Sequence, residues 1–247
     1  MPNFPPNPLR LYRNAMSIAA FRSSPRAAEW PHRYASTSTK KQNRLPASYY
    51  RGGTSRAIIF SQKDLPKDRR EWEPIFCGVI GSPDPNWRQL DGLGGGISSL
   101  SKICVVGPST HPEADVDYTF AAIGVKEWDV DYSANCGNMT SAIGPFAIDT
   151  NLVEGKTANG LVTVRIHNTN TGKLIHSTFP LVDGEAEAHG SFPIDGVAGT
   201  AAKIELAFIN PASVYTNTYP LILLTLLVGP KPENFFQLGI SQIHLMA

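Results

Sequence analysis

Ser133-Ala134-Asn135-Cys136-Gly137-Asn138-Met139-Thr140-Ser141-Ala142-Ile143-Gly144-Pro145 sets a lone thiol between two asparagines, directly ahead of a run of small residues. Met139, Ile143, Phe146 and Ala147 recur at helical spacing and give that run one apolar face. Asn135 is a residue type that caps helices, and Gly137 lets the backbone turn without a Cβ clash, so the pattern predicts a helix beginning at the cysteine. Pro145 removes one helical hydrogen bond and predicts a kink. A thiol at a helix N-terminus faces backbone N–H groups without helical partners and the positive end of the dipole, both of which favour thiolate. The same N–H groups can hold a carboxylate. The competing reading is a buried, inert cysteine, the commoner fate of a free thiol.

Upstream, Tyr49 to Phe60 reads as strand, glycine turn, strand around Arg51-Gly52-Gly53-Thr54-Ser55. The glycines let backbone approach a ligand and Thr54 and Ser55 add hydroxyls; an ordinary hairpin turn reads the same way. Leu65 to Ile80 predicts a helix with Trp72, Ile75, Phe76 and Val79 as its apolar stripe. Asp91 to Lys102 is glycine-rich, but a dinucleotide-binding G-x-G-x-x-G fails because position 97 is Ile. What remains is a glycine segment leading into Ser98, Ser99, Ser101 and Lys102. Ile103 to Val106 reads as a buried strand, and a lysine at its start is partly desolvated, which favours the neutral, basic amine. A surface lysine at a strand end is the alternative. Further strands are expected at Val116–Val125, Thr163–Ile166, Lys173–Phe179 and Lys203–Ile209.

The 247 residues, 42% of them hydrophobic, suit one large domain or two small ones. Cys77, Cys104 and Cys136 form no C-x-x-C and no zinc spacing, and an odd count without a secretory signal points to a reducing compartment. The six histidines show no H-x-x-x-H or H-E-x-x-H spacing, so no metal is expected. The net charge of +1 hides an asymmetry: residues 1–46 carry eight of the 22 Lys/Arg and one of the 21 acids. The rest holds 14 basic and 20 acidic residues, a net of −6, which argues against nucleic acid as a partner. Residues 1–46 read as a disordered basic segment. Leu11, Ala15, Ile18 and Phe21 can share one helical face with Arg10 and Arg13 off it, the pattern of a mitochondrial presequence. The expected location is the mitochondrial matrix, or the cytoplasm if the segment is only a tail. Met16 to Phe21 is far too short to span a membrane.

Taken in order, Arg51-Gly52-Gly53-Thr54-Ser55, Gly81-Ser82-Pro83-Asp84-Pro85, Gln89-Leu90-Asp91-Gly92-Leu93-Gly94-Gly95, Ser98-Ser99-Leu100-Ser101-Lys102, Asp115-Val116-Asp117-Tyr118, Asn135-Cys136-Gly137-Asn138, Gly144-Pro145-Phe146-Ala147-Ile148 and Val164-Arg165-Ile166 resemble the PrpF family of methylaconitate and aconitate isomerases. No single piece is specific; their order and spacing over residues 48–212 are. Arg56-Ala57, Gly96-Ile97 and Leu100 depart from the family pattern and bear on substrate fit more than on fold.

The resemblance implies an α+β fold of the diaminopimelate epimerase type: two similar lobes, each a curved, mostly antiparallel sheet wrapped around a central helix, with the site in the cleft between them. It implies Lys102 and Cys136 as acid and base, in an unassigned order, and contacts to substrate from Arg51, Gly53, Thr54, Ser55, Ser98, Ser99, Ser101, Asn135, Gly137 and Asn138. It implies a small di- or tricarboxylate as substrate and no cofactor, and leaves room for a homodimer. The reaction would move a double bond through an allylic carbanion stabilised by N–H donors on its carboxylate. A cysteine hydrolase would need a histidine partner for Cys136, and nothing around the six histidines supports one. A ligand- or partner-binding protein without turnover is the other class.

The resemblance runs through Lys203 to Ser213 and stops. One family lobe is therefore expected over 47–213, with a divergent tail over 214–247 in place of most of the second lobe, and weak or absent activity in the chain as it stands. The apolar run Leu221–Val228 in that tail is expected to aggregate or to pair with another chain.

Overall fold

The computed structural model describes residues 43–154, 158–209, 222–227 and 243–245. The basic segment with its presequence pattern falls outside them, except that Asn43–Leu45 forms a strand, β1. The hairpin follows as β2 (Ser48–Gly52) and β3 (Ser55–Ser61). The helix expected from Leu65 begins later: α1 is Trp72–Ile80. Pro66 lacks an N–H, and the Asp68 carboxylate accepts from the Arg70 backbone N–H, which turns Arg69–Glu71 into a tight 3₁₀ turn instead of a first helical turn. Then come β4 (Lys102–Pro108), β5 (Val116–Ile123), β6 (Val130–Asp131), α2 (Gly137–Asp149), β7 (Gly160–Asn168), β8 (Lys173–Val182), β9 (Glu185–Ala186), β10 (Lys203–Phe208), β11 (Ile222–Leu227) and β12 (Ile243–Leu245).

One sheet runs in the order β11-β10-β8-β7-β5-β4-β3-β2, with β6 added to β5 and β9 to β8, while β1 pairs with β12. Most neighbours are antiparallel; β3·β4 and β5·β7 are parallel. The expected sheet is thus mixed, because α1 and α2 each supply the crossover that a parallel pair needs. The segment expected to pair with another chain pairs within this one: Ile222–Leu227 lies antiparallel on β10 and takes up its open edge.

Alternation along the strands builds a core on each face. Ala57 and Ile59, Cys104 and Val106, and Tyr118 and Phe120 point to the α2 side, where they meet Met139, Ile143, Phe146 and Ala147. Ile58, Phe60, Ile103, Val105, Ala121 and Ile123 point the other way, against Trp72, Phe76 and Val79 of α1. Phe146 is buried at the centre of the first core, where cutting such a side chain to alanine costs about 3–5 kcal/mol. α2 touches both β2 and β11, which end the sheet on opposite sides, so the sheet curls round the helix. α2 is also pinned at its far end, where the Tyr50 hydroxyl donates to Asp149 at 2.9 Å and the Tyr50 ring meets Phe146 edge-on. Helical structure runs on through Pro145 to Asp149. Among the described residues, no helix is long and apolar enough to cross a membrane.

Candidate functional site

α2 starts one residue later than its sequence suggests. Cys136, with extended backbone, is the N-cap residue, and its side chain makes no capping hydrogen bond. Asn135 therefore does not cap the helix: its Oδ1 accepts from the Thr140 hydroxyl at 3.0 Å, and Thr140 also bonds back to the Cys136 carbonyl, 2.9 Å from both its N–H and its hydroxyl. The N–H groups of Gly137, Asn138 and Met139 consequently have no acceptor within the helix. Cys136 is half-buried and rests against the α2-side core.

The hairpin turn lies against this helix start. Gly53 and Thr54 form the turn, with Gly53 at φ +54°, the left-handed conformation that a tight hairpin needs. Asn138 Nδ2 donates to Thr54 Oγ1 at 3.0 Å and to Ser55 Oγ at 3.4 Å. With its amide hydrogens spent there, the Asn138 side chain holds the turn, while Thr54 and Ser55, as acceptors, keep their own O–H hydrogens for other partners. Arg51 is half-buried on the same hairpin and its Nη1 donates to the Gly53 carbonyl at 3.4 Å; burial lowers its pKa from the usual range.

Lys102 opens β4 on the same face of the sheet as Cys104 and is only 7% exposed. Its Nζ donates to the Ser98 carbonyl at 2.5 Å and sits 5.7 Å from the centre of the Phe120 ring, itself part of the α2-side core. Cys104, two residues on, feels both side chains: burial pushes its thiol well up, Cys136 adds to that, and Lys102 opposes it. Lys102, set against the Phe120 ring, and Cys136, packed on the core to which Phe120 belongs, thus lie on the same, α2 side of the sheet although 34 positions apart in sequence.

The serines divide. Ser98 is exposed and Ser99 half-buried in a 3₁₀ turn ahead of Lys102. Ser101 is buried, with its hydroxyl engaged to Gln89 Oε1 at 2.8 Å and the Ile97 carbonyl at 2.9 Å. Gln89, which sequence reasoning passed over as a site organiser, ties the glycine segment together: its Oε1 also accepts from the Gly96 N–H and its Nε2 donates to Ser82, both at 2.8 Å. A buried glutamine with φ +52° leaves no trace in hydrophobic periodicity.

Two clefts lie elsewhere. One of about 400 Å³ is lined by Arg69, Trp72, Thr119, Tyr132 and Asn170. Another of about 240 Å³, at the far end of α2, is lined by Ser48, Ile59, Phe146 and Thr150. Neither includes Lys102 or Cys136. Among the described residues, no three His, Cys, Asp or Glu side chains are grouped to hold a metal ion.

The family model described as PrpF protein matches residues 42–221. The chain belongs to the PrpF family. The match takes in all of the expected lobe and extends past Ser213. A 3-methylitaconate isomerase of Eubacterium barkeri is 44% identical over 175 residues, 71% of this chain and 45% of that protein. A 2-methyl-aconitate isomerase of Cupriavidus necator is 42% identical over 70% of this chain and 45% of its own length. A 4-oxalomesaconate tautomerase of Pseudomonas putida is 41% identical over 69% and 46%. The crystal structure of a methylitaconate-delta-isomerase superposes with a TM-score of 0.64 at 44% identity, covering 67% of this chain and 42% of that one. The fold is the diaminopimelate epimerase-like lobe that the resemblance implies, a curled mixed sheet around a central helix. This PrpF chain spans less than half the length of the curated relatives it matches.

Proposed function

We propose that this PrpF chain carries the acid–base groups of an isomerase that moves a double bond in an unsaturated tricarboxylate, such as aconitate or 2-methylaconitate, without a cofactor. Of Lys102 and Cys136, one removes a proton from carbon alpha or gamma to a carboxylate. The electron pair left behind is delocalised over the allylic system into that carboxylate as a dienolate. The other residue returns a proton at the far carbon, so the double bond moves and no atom is gained or lost. The N–H groups at the start of α2 are set to hold the developing negative charge, and such fixed donors act most strongly where the charge appears in the transition state. Arg51 and the Thr54 and Ser55 hydroxyls are the further donors for carboxylates.

What supports this reading is that Lys102 and Cys136 face the same, α2 side of the sheet, with Cys136 at a helix start overlaid by the Arg51–Ser55 hairpin. The relatives' names support the reaction class, and those names differ in the acid they specify. A two-lobed cleft excludes water and completes the carboxylate site only with both lobes, so the 247 residues alone are expected to turn over slowly. The segment 1–46 is read as a mitochondrial address on its composition.

A second reading is a protein that binds such acids without turnover. One experiment separates the two. Incubated in buffer alone with trans-aconitate or a methylaconitate, an isomerase shifts the ultraviolet absorbance of the conjugated acid with time. A pure binder leaves that absorbance unchanged, and that result rules out the isomerase reading for this chain.

A further inference from the structure

Behind Cys136 lie buried hydroxyl and thiol groups that none of the roles above uses. Cys104 Sγ donates to the Tyr118 hydroxyl at 3.9 Å. Thr140 reaches Asn135 Oδ1 at 3.0 Å and the Cys136 carbonyl at 2.9 Å. Cys104, Tyr118 and Thr140 are all wholly buried. Burial holds the Tyr118 phenol far above its usual range, with Cys104 and Cys136 adding to the effect, so its proton stays in place.

The Thr140 hydroxyl donates toward Asn135 Oδ1, with the Cys136 carbonyl as a second acceptor for the same hydrogen. The Asn135 oxygen is thereby fixed toward α2, so its amide nitrogen turns the other way. Asn135 is half-buried, and among the described residues Nδ2 has no hydrogen-bond partner. Asn138, on the other side of the thiol, has its amide hydrogens committed to Thr54 and Ser55.

We infer that Thr140 is a positioning residue: its hydroxyl fixes the Asn135 carboxamide so that Nδ2 is presented to a substrate carboxylate beside Cys136. The inference rests on the reading of the α2 start as a carboxylate site. A carboxylate has only acceptors, so an asparagine turned by 180° would offer oxygen to oxygen and repel it. A buried hydroxyl in the first helical turn thereby sets the sign of the interaction at the cleft. Thr140→Val keeps the shape and removes the hydroxyl; Thr140→Ser keeps the hydroxyl.

The test uses the full chain, with tricarballylate as a tricarboxylate that cannot be isomerised. Protection of Cys136 from iodoacetamide by tricarballylate is measured by mass spectrometry. The order of the Asn135 side-chain amide is measured by ¹⁵N relaxation in the absence of ligand. Thr140→Val is expected to need about 10- to 100-fold more tricarballylate for half-protection, the worth of one hydrogen bond to a charged group, and Thr140→Ser to stay close to wild type. The Asn135 amide is expected to be rigid in wild type and Thr140→Ser and mobile in Thr140→Val. Wild-type protection and a rigid amide in Thr140→Val overturn the inference. If tricarballylate does not protect the wild-type thiol at all, the carboxylate-site reading fails and the substrate role of Asn135 with it; the relaxation data then decide the positioning of Asn135 by Thr140 separately, mobility in Thr140→Val supporting it and rigidity refuting it.

Discussion

Gly52 and Asn138 meet backbone to backbone: a Cβ on Gly52 would stand 2.2 Å from the Asn138 carbonyl oxygen and 3.0 Å from Met139 Cα. The hairpin and the helix that starts at Cys136 are therefore seated on one another with no room for even a methyl group, and the Asn138 amide closes the seat from the side.

Gly52→Ala must push the hairpin off α2. We expect a loss of about 1–3 kcal/mol, the usual cost of overpacking, read as a lower midpoint in urea. We also expect altered alkylation of Cys136, because the N-cap residue moves with the helix start. A midpoint equal to wild type would show that this contact is not tight.

The three cysteines differ in a way that labelling can read. Cys77 and Cys104 are both fully buried; burial, with help from Glu73, pushes the Cys77 thiol up to about 12, and burial drives that of Cys104 higher still. Cys136 is half-buried at a helix N-terminus. Native protein at pH 7–8 is expected to take up one equivalent of iodoacetamide quickly, at Cys136, and the other two only after unfolding. Labelling of all three at similar rates contradicts the position assigned to Cys136.

Acid stability should depend on Asp117. Burial alone would raise its pKa, but hydrogen bonds from Thr110, His167 and Ser109 outweigh that and hold it below the ordinary carboxylate range. A carboxyl with a lower pKa folded than unfolded stabilises the fold above its unfolded pKa, and that stability is lost as pH falls through the folded value. Asp117→Asn is expected to cost about 1–3 kcal/mol at pH 7 and to flatten the decline of stability below about pH 4. Urea titrations across pH 2.5–7 measure both; parallel curves for the two proteins would exclude the linkage.

Much of this was legible in local pattern. The Tyr49–Phe60 hairpin, the strand after Lys102 and the helix after Cys136 follow from alternation, glycine placement and 3.6-residue spacing, and these are the elements that carry the candidate site. What stayed hidden depends on which partner each polar side chain and each strand finds in three dimensions. Nothing near position 135 says that its side chain will bond Thr140 and leave the cap position to Cys136. The Asn138 amide finds hydroxyls more than 80 positions away. The parallel β3·β4 and β5·β7 pairs arise from crossovers that strand periodicity cannot distinguish from hairpins. The late start of α1 was visible in Pro66 and Asp68 but was outweighed by the apolar stripe that follows.

The most direct test of the account is deuterium exchange into the substrate. Proton abstraction from an allylic carbon in D₂O washes deuterium into 2-methylaconitate or 3-methylitaconate even when net isomerisation is slow, and ¹H NMR follows the loss of signal over hours. The 247-residue chain is expected to catalyse a slow exchange that Lys102→Ala and Cys136→Ala each reduce by about 10²–10⁴-fold, the usual contribution of a positioned acid or base. Exchange no faster than in buffer, or exchange undiminished in both variants, would contradict the assignment of Lys102 and Cys136 as the acid–base pair of this chain.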